Sequence, residues 1–511
     1  MSHRNAFGRV LVYGAMACAG MAAAQTPASV PYTPSWTARH HVQWLIDHEG
    51  LELLGSQWPL PAAAVERALD ALDAGAVSAW GLNARRLVRQ ELEALKSETL
   101  LSVHVRTEAE GLNGFGDNHA PGSRAWLAWP EVRHSLGTVS LAGKLGMRAE
   151  AVPAALRGWN DSSAYQLSPD GSAAVLGIGG WQLQAFAHRH WWGPGWQSSL
   201  INGHNQPGWR GVGLQRGATA PSPSTWASWM GPWNLDVFVA KAQDPLLFDN
   251  QPQGFWFSGM RLTIQPKPWL EIGLSRGLQT GGQGRPNGAG NFVKAFLGQE
   301  VNKNPEDTFT DSSAQIAGYD VRITCPRSVS GFMGVCAAYT QWMGEDAAGH
   351  LPLPFKFMSL WGVESTYGQG QYRVFAEWTN TNTYSLPWDT KPSFPGYLNG
   401  VYVQGFTQGV RWVGSAQGAG SRVLTLGWMD AAKQRLLKLH VGKIHTGVGA
   451  YNPRWQAPTG DFWGFSAQQT AGWRNLQLTP ELALIRFPQG HDERLGGRQV
   501  MRVGIDIRTA F

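Results

Sequence analysis

The chain has 511 residues, 15% charged and 43% apolar, with 26 Trp, 63 Gly and a formal net charge of +6. Ordinary soluble domains carry about 25% charged residues, so much of this exterior is covered by something other than ion-paired surface, and the aromatic content excludes a disordered chain. After the N-terminus no run of about 18 apolar residues appears, which excludes a helical membrane protein, and so small a charge surplus predicts no nucleic-acid partner.

In chain order, residues 1–24 read as an export signal. Arg4 and Arg9 make a basic start, residues 11–23 an apolar core, and Ala22-Ala23-Ala24 a small-residue cleavage site before Gln25. Cys18 lies inside this segment, where Ala15-Met16-Ala17-Cys18 matches a lipidation box poorly. Residues 25–97 carry helical spacing. Val42, Leu45 and Ile46 recur at that spacing until Gly50, Pro61 opens a second run through Val65, Leu69 and Leu72, and Asn83 is placed to cap a third with Leu87, Val88, Leu92 and Leu95. Arg85, Arg86 and Arg89 on that third run read as a solvated face or as charges turned toward a pore.

From about residue 98 to 511 the period changes to two. Trp233, Leu235, Val237 and Val239 alternate with Asn234, Asp236 and Phe238; Tyr372, Val374, Ala376 and Trp378 alternate with Arg373, Phe375 and Glu377; Leu437, Leu439 and Val441 alternate with Lys438, His440 and Gly442. Soluble sandwiches alternate too, but aromatics cluster at the predicted strand ends, as at Trp126, Trp129, Trp226, Trp229, Trp256, Trp269, Trp342, Trp361, Trp412, Trp428 and Trp473, where a membrane girdle needs them. At the C-terminus Met501, Val503, Ile505, Ile507 and the terminal Phe511 fall on one face, resembling the assembly signal of bacterial outer-membrane barrels. At roughly 23 residues per strand and connection, the predicted fold is an all-β transmembrane barrel of about 18 antiparallel strands behind a small α-helical bundle. Long Gly/Pro/Asn-rich stretches at 278–313, 379–399 and 446–461 alternate with tight connections such as Gly368-Gln369-Gly370, as opposite barrel rims require.

Cys325 and Cys336 face each other in a hairpin centred between Ser330 and Gly331, because position i then faces position 661 − i. In an exported chain such a pair predicts a disulfide. The rival reading, two metal ligands, lacks zinc-type spacing, so no metal and no cofactor are expected.

The segment His190-Trp191-Trp192-Gly193-Pro194-Gly195-Trp196-Gln197-Ser198-Ser199-Leu200, followed by Asn202, His204 and Asn205, breaks the alternation with a rigid turn. Indoles beside amides and hydroxyls suit a sugar, whose C–H faces stack on aromatics; structural packing is the alternative. Candidate polysaccharide-binding residues are His190, Trp191, Trp192, Trp196, Asn202, Asn205 and Arg210. Arg216, Arg285, Lys294 and Lys303, with Arg210, fall in predicted loops and suit acidic polymers or plain solvation. No GxSxG, HExxH, Walker or GxGxxG-plus-acid motif is present, and His190, His204, His440 and His445 are catalytic candidates by type alone.

Here the sequence resembles the outer-membrane capsule assembly proteins called Wzi. The resemblance rests on residues 190–200 and on Trp58-Pro59-Leu60-Pro61 after Val42-Gln43-Trp44-Leu45. It implies an 18-stranded barrel with its helical bundle at the periplasmic end, acting as a non-enzymatic lectin that retains capsular polysaccharide on a Gram-negative cell. The expected partners are surface polysaccharide, outer-membrane lipid and, through Phe511, the barrel-assembly machinery. A porin-like sugar channel and an outer-membrane lipid or glycan hydrolase are the rival readings.

Overall fold

The computed structural model describes residues 28–73, 75, 77–97, 100–107, 111–116, 125–149, 165–244, 252–297, 313–326, 334–347, 354–384, 391–409, 411–445, 459–487 and 499–510. The export signal at 1–24, Lys303 and Phe511 lie outside these residues.

Three helices precede the barrel: α1 at Trp36–Glu49, α2 at Ala62–Ala71 and α3 at Ala79–Ser97. The Ser35 hydroxyl caps α1 by accepting from the Ala38 amide at 3.1 Å, and Gly50, at φ 77°, closes it by donating to Leu45 O. Helix α3 starts before Asn83, which corrects the expected cap. Ser78 supplies the acceptor instead, 3.0 Å from the Gly81 amide, while Asn83 Oδ1 accepts from Arg86. Arg86 is exposed and Arg89 pairs with Asp70.

Apart from three short two-residue ladders, the strands from Leu100 onward close into an antiparallel barrel of eighteen. Tyr165–Ser168 with Ser172–Ile178, and Thr459–Gln469 with Ala471–Trp473, each count as one broken strand, Phe394–Pro395 is a side pairing on Tyr372–Tyr384, and Gln499–Ala510 meets Leu100–Arg106 to complete the ring, with Ile507 opposite Val103. Alternation sorts the two solvents. Val212, Leu214, Leu274, Val363, Leu437, Leu439, Met501 and Val503 are exposed on the outer wall, whereas Asp236, Arg261, Gln341, Glu364, Arg373 and Glu377 are buried in the lumen. Among the described residues no helix is long and apolar enough to cross a membrane. Trp256, Trp269, Trp361 and Trp473 lie exposed on the outer wall or rims as a girdle requires, but Trp126 and Trp412 are buried in the interior. Trp126 fills space that Gly146 leaves, and Trp412 belongs to a lumen loop that looked like barrel wall in the sequence.

Cys325 and Cys336 are joined, with Cα atoms 5.2 Å apart. The pairing Thr324↔Ala337 through Ala317↔Gly344 follows the expected register throughout. Tight turns at Gly137, at Gly179-Gly180 and at Gly368–Gly370 mark one end of the barrel, and the N-terminal part docks there. Ala28 N donates to Gly137 O, Arg67 to Gly217 O, and the His40 ring lies 2.7 Å from Gly370 O.

Candidate functional site

Three pieces of chain fill the lumen above the tight-turn end: α1, residues 190–206 and residues 396–421. One apolar cluster runs through all of them, taking in Trp36, Trp58, Trp191, Trp192, Trp196, Tyr397, Tyr402 and Trp412. Residues 190–206 return from the long-loop end into the barrel, where Trp191–Trp192 forms a short ladder with Gln57–Trp58. The turn needs its glycines. Gly193 sits at φ 145° with its position hard against Gln341, and a Cβ on Gly195 would meet Ser198 O at 2.2 Å.

Charge then fixes the turn. The amides of Trp196, Gln197 and Ser198 point at one carboxylate, Glu377, which also accepts from Tyr339 Oη at 2.9 Å. Consecutive amides of this kind form an anion-binding concavity, and here the protein's own carboxylate occupies it. Trp196 Nε1 donates to Glu364 at 2.6 Å. Glu364 in turn binds Arg373 and Arg322, and Arg322 makes a two-pronged contact with Asp47 of α1 at 2.6 Å on each arm. From the other side Arg39 of α1 donates to Gly195 O at 2.8 Å and Pro194 O at 3.0 Å, its guanidinium 4.3 Å from the Trp196 ring. Burial lowers the Arg39 pKa to about 9, against the pull of Glu364 and Glu377.

The candidate residues therefore come together, but turned inward. His190, Trp191, Trp192, Trp196, Asn202 and Asn205 are all at most 5% exposed. None of the three indoles offers a free face, so none can stack on a sugar in this arrangement. His190 stacks on Phe238 at 4.5 Å and burial holds it neutral. Asn202 Oδ1 accepts from Trp209 Nε1, and Asn205 donates to Trp412 O. Arg210 is not in the group: with Val212 and Leu214 it falls on the outward positions of the strand Trp209–Arg216. Arg210 and Arg216 thus lie in a strand, not a loop. Arg216 binds the carbonyls of Ala218, Ala220 and Trp233 at the tight-turn end. Lys294 lies in a helix, Ala289–Phe296.

Residues 396–421 complete the filling. Tyr397 Oη donates to Leu200 O and Tyr402 Oη to Gly281 O, both at 3.0 Å. Above them the polar, partly exposed residues Gln283, Arg285, Asn287 and Asn399 form a rim, with Arg285 tied to Val401 O at 2.9 Å. A cavity of about 940 Å³ persists between α1, α3 and the wall that includes Trp126, Lys144 and Arg508. Sequence reasoning missed Arg39, Asp47, Arg322 and Glu364. The alternation of residues 372–378 puts Arg373 and Glu377 on a polar strand face but does not indicate what they hold. Among the described residues no three His, Cys, Asp or Glu side chains could share a metal ion. His440 is bonded to Thr425 inside the barrel.

Residues 135–436 match the family model of the capsule assembly protein Wzi. A Klebsiella pneumoniae protein described as an uncharacterized 55.8 kDa protein in the cps region is 27% identical over 361 residues, 67% of this chain. The match spans only 64% of that relative's length. The solved structure of Wzi, an outer membrane protein involved in group 1 capsule assembly in Escherichia coli and described as a carbohydrate-binding β-barrel, superposes with a TM-score of 0.74 at 20% identity. That superposition covers 94% of this chain and 100% of the other.

Proposed function

This chain belongs to the Wzi capsule assembly family, and from that premise we propose that it is an outer-membrane barrel that holds a surface polysaccharide at its long-loop rim without cleaving or transporting it. The observation that carries this reading is the filled lumen. An open sugar channel needs a continuous aqueous path, whereas here α1 and the described parts of residues 190–206 and 396–421 pack together in the lumen, and α1 is ion-paired to the wall through Asp47. The outer wall is apolar as a membrane requires, and the Escherichia coli barrel of the same fold is described as carbohydrate-binding.

In this reading His190, Trp191, Trp192, Trp196, Asn202 and Asn205 serve the polysaccharide indirectly, by fixing the floor beneath the rim. Direct contacts fall to the rim, where Gln283 offers an amide, Asn399 its amide N–H groups and Arg285 a cation for acidic sugars, while Asn287 holds the rim backbone at Gly282. Each contact is weak, and repeats along the polymer multiply it. The test is binding of purified capsular polymer to the protein in vesicles. Arg285→Gln is expected to weaken binding several-fold, on the order of 1 kcal/mol, and to reduce its salt dependence. Unchanged affinity and salt dependence would place the contacts away from this rim.

A further inference from the structure

The helix Ala289–Phe296 lies on the outside of the barrel. In the strand Leu270–Thr280, even positions face outward: Leu274 is 51% exposed, while a Cβ at Gly277 would meet Phe257, Ile201 and Ile316 inside. Leu278 also points outward, yet it is 0% exposed, and so is Ala295 of the helix. Arg276, between them on the same outer face, donates to Phe296 O at 2.5 Å, to Ala295 O at 2.9 Å and to Gln315 Oε1 at 3.2 Å. A bare arginine on a lipid-facing wall is destabilising. Here the carbonyls of the helix's last turn, at the negative end of its dipole, satisfy it.

The level on the wall is also fixed. Leu278 stands eight residues beyond the tight turn, about 20 Å up a strand tilted by about 40°. The neighbouring Trp256, paired with Thr280, marks the aromatic girdle just above. The helix therefore lies at the upper edge of the apolar band. At about 100° per residue, Ala295 faces the wall, Val293 and Leu297 point away from it, Phe292 and Phe296 occupy one flank and Lys294 the other. Val293 is 53% exposed and Leu297 42%. Aromatic on one flank, cationic on the other and apolar between is the pattern of a helix lying in a membrane interface.

We propose that Ala289–Phe296 is a lipid-binding helix, laid along the outer wall with Val293 and Leu297 among the acyl chains of the outer leaflet and Lys294 toward acidic headgroups. This rests on the barrel being membrane-embedded, and it continues the lipid-facing surface of Leu274, Tyr319 and Ile323. The segment 281–287 joins this helix to the lumen filling through Tyr402 and Arg285, so the helix also tethers the rim to the membrane plane.

The test places a nitroxide label at Val293→Cys in the full protein, with Cys325 and Cys336 kept joined, in phosphatidylcholine–phosphatidylglycerol vesicles. Leu274→Cys reports the barrel wall, and Ala432→Cys, in an exposed tight turn, reports water. Collision rates with oxygen and with a water-soluble nickel chelate are expected at 293 to match those at 274 and to differ from those at 432. A label at 293 as open to the chelate as at 432, with 274 protected, overturns the proposal and leaves the membrane barrel standing. Chelate access at 274 overturns the membrane reading itself. Protection of 293 from both probes, with spin–spin broadening, overturns the lipid assignment in favour of a second copy of the chain.

Discussion

The indole of Trp192 is fully buried, 5.6 Å from the Phe238 ring and 5.5 Å from His190. Its backbone carbonyl is held by Gln341 at 2.7 Å. Removing the ring leaves a cavity that the surrounding barrel cannot collapse into, so Trp192→Ala is expected to destabilise the lumen packing by about 3–5 kcal/mol. The barrel should still insert, with the heat-induced gel-mobility transition moved to lower temperature. An unchanged transition would mean the ring contributes no packing. The residue types of this segment were legible in the sequence; their direction was not. Aromatics in a Gly-Pro-Gly turn read equally as platform or as packing, and what decides is Glu377, Glu364 and Arg39, which lie 156 to 181 positions away along the chain. No local pattern reports such partners.

At the scale of elements, α1 is coupled to the wall through His40 as well as through Asp47. Arg373 Nε can only donate, so His40 Nδ1 accepts from it and His40 Nε2–H donates to Gly370 O. Burial lowers the pKa of both His40 and its neighbour His41, the latter to about 4, with Arg373 adding repulsion. Both rings are neutral when docked. Their contribution is therefore full above about pH 6.5, the unfolded value, and falls away below it; for His41 the loss runs down to about pH 4 and amounts to up to about 3 kcal/mol. Protease sensitivity of residues 28–97 should rise over that window, and His41→Asn should flatten the rise; an identical pH profile in the variant would contradict the assignment. The hairpin Ser313–Thr324 and Val335–Ala347 was readable to the register, because a period of two admits one pairing that keeps both apolar faces outward and Cys325 opposite Cys336. The protein should run faster on non-reducing than on reducing gels, and Cys325→Ser should abolish the difference. Two alkylatable thiols in the native protein would refute the pairing. The helix Ala289–Phe296 was not readable, since eight residues in a Gly/Asn-rich stretch give barely two turns of periodicity.

For the whole molecule, composition and alternation sufficed for the barrel because a membrane sorts side chains strictly into apolar outward and polar inward positions. The helical spacing of residues 25–97 allows a plug at one end of the pore, but nothing local reports that residues 190–206 and 396–421 join α1 in the lumen, because that filling is drawn from separated parts of the chain and packed by tertiary contacts. A barrel whose lumen is filled in this way, in a family defined by capsule assembly, meets a polymer at its rim. The most direct measurement is polysaccharide retention: delete the gene, then compare cell-bound polymer, shed polymer and total synthesis. The account predicts that cell-bound polymer falls and shed polymer rises while total synthesis is unchanged, with attachment restored by the intact gene. Normal attachment in the deletion strain would contradict it.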